Sequence, residues 1–283
     1  MLFRSPGESE PPRHGQARST GDLGYLKYGI FPGDNGHFST IICLPNHEKE
    51  LKEAVKQNDQ FQSICMSIPG VEPWINPAKA TPTTNAFGFG DIHAVWRHFV
   101  KEGKPQVLNY FAVGDAAVRT NPLYGRGCST GILHAHLLAD LLEEIADPGE
   151  RAIEFDRRTE VALRPIFNTS LNDDKRGIRR ARAVFEDKEL DESGSTKSWF
   201  KAAFLDAVAA ASREHVHVIR GAMKTFNLME KPGEFLKDRR IQWTVLRYLF
   251  RGRKRNAGTR LQLGPTRKEM LEKVAATKQL NAA

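Results

Sequence analysis

The part of the sequence best suited to chemistry joins one carboxylate to a glycine-rich loop. Residues 114–131 read GDAAVRTNPLYGRGCSTG. Asp115 offers a carboxylate that can accept hydrogen bonds from the hydroxyl groups of a ligand. Asn121-Pro122 is typical of a turn, and Gly125 and Gly127 permit close backbone approach or φ angles that side chains forbid. This combination of residues predicts a ligand site.

Two elements are expected to position this site. Residues 107–113, VLNYFAV, are rich in β-formers and predict a buried strand that ends at Asp115. In open α/β sheets, ligands bind outside such strand ends. From residue 128 to 146, apolar residues recur around most of the helical wheel and predict a helix buried on several sides. The free N–H groups and the positive dipole at the start of this helix favour a ligand that is anionic or that acquires negative charge.

The order of these features resembles the second flavin motif of FAD-dependent monooxygenases of the para-hydroxybenzoate hydroxylase type. Their relatives include 2-polyprenyl-6-methoxyphenol hydroxylases, squalene epoxidases, geranylgeranyl reductases and flavin halogenases. The resemblance implies that Asp115 holds the ribityl chain of FAD and that the proline and glycines lie along the isoalloxazine ring. It also implies that N–H groups at the start of the helix face the pyrimidine edge of the flavin. The cofactor-binding residues implied are Gly114, Asp115, Pro122, Gly125, Gly127, Cys128 and Ser129.

Two positions depart from the hydroxylase pattern. Val118 stands where hydroxylases often have His, and Ser129 stands where they often have Asn. These differences argue against aromatic hydroxylation more than against flavin binding. The alternative interpretation of the stretch is a tight αβ turn with a capping Asp, which explains the glycines but not the whole series of features.

The segment upstream predicts a sheet with a helical insert. Residues 25–44 contain two β-rich runs around Gly33-Asp34-Asn35-Gly36, a hairpin signal that the resemblance assigns to an antiparallel substrate domain. Helices are expected over 48–58 and 61–67, and residues 81–96 are expected to return as one or two strands. The aromatic residues of 81–96 could line a substrate pocket or belong to the ordinary core of the sheet. For each individual residue, a place in the core is favoured. These aromatic residues are Phe87, Phe89 and Trp96.

The resemblance also sets an expectation about what the sequence lacks. The same family binds the ADP half of FAD with a strand, Gly-x-Gly-x-x-Gly and a later acidic residue, and no such segment is found here. Residues 1–22 are polar and rich in Pro and Gly, which predicts a disordered lead-in. We therefore expect a partial FAD/NAD(P)-binding fold of the α/β class with α+β character. Its regions are a substrate-domain sheet over 23–106, a flavin-binding strand, loop and helix over 107–146, and a mostly helical region over 147–283.

Charge is concentrated near the carboxyl terminus. The net charge is +8, and residues 231–255 hold nine Lys or Arg against Glu234 and Asp238. This segment predicts a basic amphipathic helix. One helical face carries Ile241, Val245, Tyr248 and Leu249, and Trp243, Leu246 and Phe250 lie nearby. One interpretation is peripheral contact with an anionic membrane. The other, which is favoured, is a surface helix with its apolar side on the core. No recognition module accompanies the charge, so nucleic acid is not an expected partner.

Cysteine and histidine spacing argues against other site types. Cys43, Cys65 and Cys128 are too far apart for a metal motif and predict a reduced, cytoplasmic setting, with membrane-peripheral placement as the variant. The pairs His134/His136 and His215/His217 are spaced by two residues, which places partners on different helix faces, so no metal site is expected.

The function expected from the sequence is that of an FAD-dependent oxidoreductase, monooxygenase-like, present as a fragment. Its substrate would be a small organic molecule, aromatic or prenyl and lipid-like, and its electron donor would be NAD(P)H or another donor. Hydroxylation, epoxidation and reduction stay open. No side chain is named as catalytic, because the cofactor performs the chemistry. The alternative is a non-catalytic flavoprotein-fold remnant or subunit that binds a partner or a membrane surface through its basic helix.

Overall fold

The computed structural model describes the chain except residues 6, 8, 14, 91, 189–195 and 283, and the side chains of residues 16, 198 and 280–282. The chain forms two compact units of mixed α and β structure. The first comprises Met1–Gly90, Gly177–Asp191 and Arg260–Ala283, and the second comprises Asp91–Arg176 and Glu192–Thr259.

The first unit is built on a five-stranded antiparallel sheet. Its strands are β1 Leu2–Arg4, β2 Thr20–Asp22, β3 Lys27–Pro32, β4 His37–Cys43 and β5 Thr81–Pro82, in the spatial order β2-β3-β4-β1-β5. The hairpin predicted within residues 25–44 is confirmed. Asn35 and Gly36 adopt φ angles of 54° and 70° in its turn, the left-handed conformation that Asn and Gly tolerate best.

The expectation of a disordered lead-in over residues 1–22 is corrected by this sheet. β1 lies between β4 and β5, and Met1 and Phe3 are buried in the core. Phe3 stacks on Phe38 with ring centroids 5.5 Å apart. A strand of three residues is too short to show an alternating pattern, and its β structure comes from pairing with β4, which is distant in sequence.

Four helices cover the sheet core of the first unit: α1 Lys49–Ala54, α2 Asn58–Met66, α3 Glu72–Ile75 and α10 Arg267–Ala282. The first two confirm the predicted helical insert. α10 packs on α2 through Met270 and Val274, both of which are buried. A buried ion pair joins the starts of α1 and α10, with Arg267 Nε 2.6 Å from Glu48 Oε2. The region expected over 147–283 is therefore divided between the two units, because apolar spacing does not reveal which core a helix joins.

The second unit is mostly helical. Its helices are α4 Gly127–Glu144, α5 Pro148–Phe185, whose last turns belong to the first unit, α6 Thr196–Glu214, α7 Val216–Phe226, α8 Arg239–Arg251 and α9 Arg253–Ala257. Two short antiparallel ladders accompany them: β6 Val95–Trp96 with β9 Val118–Arg119, and β7 Val100–Lys101 with β8 Lys104–Pro105.

The buried strand expected over residues 107–113 is not formed. Residues 107–110 are exposed, Asn109 has a φ of 57°, and the chain stays irregular as far as Gly114. β-forming side chains alone do not make a strand, because the backbone N–H and C=O groups need a neighbouring strand to pair with. In this unit no described strand lies alongside the segment.

Among the described residues of 81–96, strand structure is limited to β5 and β6. Phe87 and Phe89 lie in the irregular segment between them and are 65% and 74% exposed, so the expectation that they are sheet core is wrong. Trp96 is half-buried and packs edge-on against Phe167, with ring centroids 5.3 Å apart. Trp96 therefore belongs to a core of the second unit, to which α5 contributes Leu163 and Ile166.

Candidate functional site

Asp115 lies in a single 3-10 turn, Gly114–Ala116, that packs against the first turns of α4. Gly114 has a φ of 60°, and a Cβ atom on it would lie 3.4 Å from the Cα of Gly131, so turn and helix meet through two glycines. Oδ1 of Asp115 is 3.6 Å from the position that a Cβ atom on Gly127 would take. The exposed carboxylate therefore stands beside the first residue of the helix.

A histidine holds this turn in place. The N–H of Gly114 donates to Nδ1 of His134 over 3.2 Å, and Nε2 lies 2.9 Å from Oγ1 of Thr159. Because Nδ1 accepts, the proton of the neutral ring belongs on Nε2, which donates to Thr159. The ring is fully buried and stacks on Phe155 with centroids 4.8 Å apart. Burial lowers the pKa of His134, which favours the neutral form that this arrangement needs.

The spacing of His134 and His136 served only as an argument against a metal site, and the role of His134 in positioning the Asp115 turn was missed. The signal that could have found it is its spacing from Gly131. Residues three apart share a helix face, and Gly131 faces the turn that His134 holds.

The glycine loop is anchored through a second polar contact. Its 3-10 turn, Pro122–Tyr124, begins with Asn121, whose side-chain oxygen accepts from the N–H of Leu123 over 3.1 Å. Asp174 of α5 accepts from Nδ2 of Asn121 over 2.8 Å and from the hydroxyl of Tyr124 over 3.1 Å. Burial and the neighbouring Asp174 raise the pKa of Tyr124 well above its usual range. The hydroxyl therefore stays protonated and remains a donor.

Arg126, which directly precedes α4, places a positive charge at the start of the helix. Arg126 is buried between the rings of Tyr124 and Phe226, with its guanidinium carbon 5.6 Å and 5.1 Å from their centroids. Its Nε donates to the carbonyl oxygen of Phe226 over 3.2 Å. Burial lowers the pKa of Arg126, but an arginine starts from so high a value that it stays charged. Its charge adds to the positive end of the helix dipole.

The first turn of α4 has no cap. No side chain bonds its N–H groups, and the first backbone bond runs from Thr130 N–H to the carbonyl oxygen of Arg126 over 2.9 Å. Within the described residues, the N–H groups of Gly127, Cys128 and Ser129 have no acceptor. These three residues are exposed, as are Pro122 and Gly125.

The structure thus brings Gly114, Asp115 and Gly127 together, and it leaves the other predicted site residues accessible on the same loop and helix start. No family model matches this chain, and no curated protein matches it. The arrangement can bind a ligand that presents hydroxyl groups to the Asp115 carboxylate and an acceptor or anionic edge to the free N–H groups.

The expectation that α4 is buried on several sides is wrong. Its buried side chains are Thr130, His134 and Leu141, whereas Ile132 is 62% exposed, and Leu133 and Leu142 are exposed as well. Apolar residues all round a helix show what the helix could bury, but burial on each side requires an element that packs there.

Other site types find little support in the part of the chain that the structure describes. His, Cys, Asp and Glu side chains nowhere come together in groups of three that could hold a metal ion. Cys43, Cys65 and Cys128 are free thiols there, and burial raises the pKa of Cys43. Every described helix is too short or too polar to serve as a membrane span.

Proposed function

We propose that this chain supplies the flavin-ring side of an FAD-dependent oxidoreductase, monooxygenase-like, that acts on an organic substrate. The observation that carries the proposal is the Asp115 carboxylate beside the first residue of the uncapped helix α4. A flavin offers both partners that this pair requires. Its ribityl hydroxyls can donate to a carboxylate, and the pyrimidine edge of its ring can accept from N–H groups.

The residues around the site fit that group. Asp115 would hold the ribityl chain, and the N–H groups of Cys128 and Ser129 would bind the pyrimidine edge. Glycine at 125 and 127 leaves the loop without side chains that would exclude a flat ring. When bound, the flavin supplies the redox chemistry, with NAD(P)H as the proposed electron donor.

The chain's own contribution is electrostatic and positional. The positive end of α4 and the buried Arg126 favour negative charge at the pyrimidine edge, and they do so without a titrating side chain. His134 holds the turn that carries Asp115, and Asp174 holds the glycine loop. No acid or base is assigned, and these residues do not select among hydroxylation, epoxidation and reduction.

Titration of the purified chain with FMN and with FAD, followed by flavin fluorescence, tests the proposal. FMN contains the ring and the ribityl chain but no ADP half, so it probes the residues named here directly. We expect saturable binding of FMN, and we expect Asp115→Asn to weaken it about tenfold or more, as for loss of hydrogen bonds to a charged group.

The matched control is Asp140→Asn, which removes an exposed carboxylate farther along α4. It should leave FMN binding unchanged. Absence of saturable binding, or an equal loss in the two variants, would rule out the proposed flavin site.

A further inference from the structure

Helix α8 has two apolar faces on opposite sides. Ile241, Val245 and Tyr248 are buried and belong to the same core as Ala207, Ala210 and Ala211 of α6. This contact confirms the expectation of a surface helix with an apolar side on the core. The second face is Trp243, Leu246 and Phe250, which are 68%, 38% and 83% exposed. Positions spaced by three, four and seven residues lie along one stripe of a helix, so these three side chains form one exposed apolar stripe.

Basic side chains flank this stripe. Arg239 precedes Trp243 by one helical turn, Arg247 follows it by one turn, and Lys254 and Arg255 come next in α9. All four are exposed, and among the described residues none has a carboxylate partner. Arg251 of the same helix, by contrast, pairs with Glu214 over 3.0 Å. The charges around the apolar stripe are therefore available to an external anion.

A groove continues the apolar stripe toward α6. It has a volume of about 620 Å³ and is lined by Phe204 of α6 together with Leu236, Trp243 and Leu246. Arg239 stands at its border. The exposed surface is thus wider than one helix and combines aromatic rings, aliphatic side chains and a cation.

We infer that this face of α8 docks onto the surface of an anionic phospholipid bilayer. Trp243 and Phe250 enter the boundary between headgroups and acyl chains, where aromatic rings are favoured. Arg239, Arg247 and Lys254 bind lipid phosphates and carboxylates from either side. The charge pattern selects this occupant: an apolar stripe bordered by arginines and lysine, without paired acids, is complementary to a negatively charged membrane and typical of interfacial helices. The inference is independent of the flavin proposal.

Sedimentation with vesicles tests it. Vesicles of phosphatidylcholine alone are compared with vesicles of phosphatidylcholine and phosphatidylserine in equal amounts, at low and at high salt. We expect the full chain to pellet with the anionic vesicles at low salt and to be released by high salt. Arg247→Gln should lower the partition coefficient about fivefold, and Trp243→Ala combined with Phe250→Ala should lower it further.

The controls are Lys268→Gln and Phe31→Ala, which remove an exposed cation and an exposed ring in the first unit. Neither should change the partition coefficient, and circular dichroism checks that all variants are folded. Equal pelleting with both kinds of vesicle, or the same partition coefficient for wild type and the Trp243/Phe250 variant, would overturn the inference. So would a dimer in solution that the same two substitutions dissociate, since the face would then belong to a second copy of this chain.

Discussion

The β3–β4 hairpin and the segment of residues 107–131 both combine apolar β-formers with a glycine-containing turn, yet they are held in different ways. In the hairpin each strand has its partner within a few residues, and Phe38 of β4 packs against Phe3 and Trp74 in the core. Among the described residues, the other segment has a strand partner only at β9, which pairs with β6 over two residues, and much of it is exposed. Polar contacts hold it at His134 and Asp174, at Arg97, which donates to the carbonyl oxygens of Asp115 and Ala116, and at Arg126, which donates to that of Phe226.

This difference suggests that the hairpin contributes mainly to stability and the 114–131 loop mainly to ligand binding. Burial of large apolar side chains contributes a few kcal/mol for each residue, whereas a typical hydrogen bond contributes about 1 kcal/mol net. The hairpin is therefore expected to determine the stability of the first unit. The 114–131 loop is expected to contribute little to stability, and its few anchors leave its backbone N–H groups open to a ligand.

The largest effect is expected from Phe3→Ala. Phe3 is fully buried, and its loss should lower the free energy of unfolding of the first unit by about 3–5 kcal/mol. Denaturant unfolding followed by circular dichroism measures the change. Phe31→Ala, which removes a half-exposed ring from β3, is the control and should cost far less. Equal effects of the two would mean that β1 is not part of the core.

A smaller effect is expected from Gly114→Ala. The φ of 60° at this position is strained for alanine, at a cost of about 1–2 kcal/mol. The loss should be confined to the second unit, and it should also weaken FMN binding, because the Asp115 turn shifts against α4. Gly103→Ala is the control: it lies at a similar φ of 71° in the β7–β8 turn and should affect stability alone. Unchanged FMN affinity in Gly114→Ala would show that this turn is not part of the proposed flavin site.

The smallest effect concerns pH. Burial lowers the pKa of His134 in the folded protein, so this residue favours the folded state fully above its unfolded pKa of about 6.5. As the pH falls below that value, the unfolded chain takes up the proton first and stability declines. Unfolding midpoints at about pH 7.5 and about pH 5.5 should therefore differ less in His134→Gln than in the wild type. An identical pH dependence in the two proteins would contradict the assigned neutral ring.

Local signals predicted much of this molecule. The Asn35-Gly36 turn, the helices after residue 48 and the buried face of α8 were correct, because each depends on residues close in sequence. The strand at 107–113 and full burial of α4 were wrong, since both require partners from elsewhere in the chain. Disorder over residues 1–22 was wrong for the same reason, as the pairing partner of β1 lies more than thirty residues away.

The residue types of the candidate site can be read directly from the sequence: a carboxylate, a glycine loop and the first turn of a helix in that order. The folded chain was needed to show that Asp115 stands beside Gly127, that His134 holds its turn, and that α8 presents a second apolar face. Turns and helix faces follow from local backbone preferences and periodicity, whereas exposure and hydrogen-bond partners depend on which distant surfaces meet.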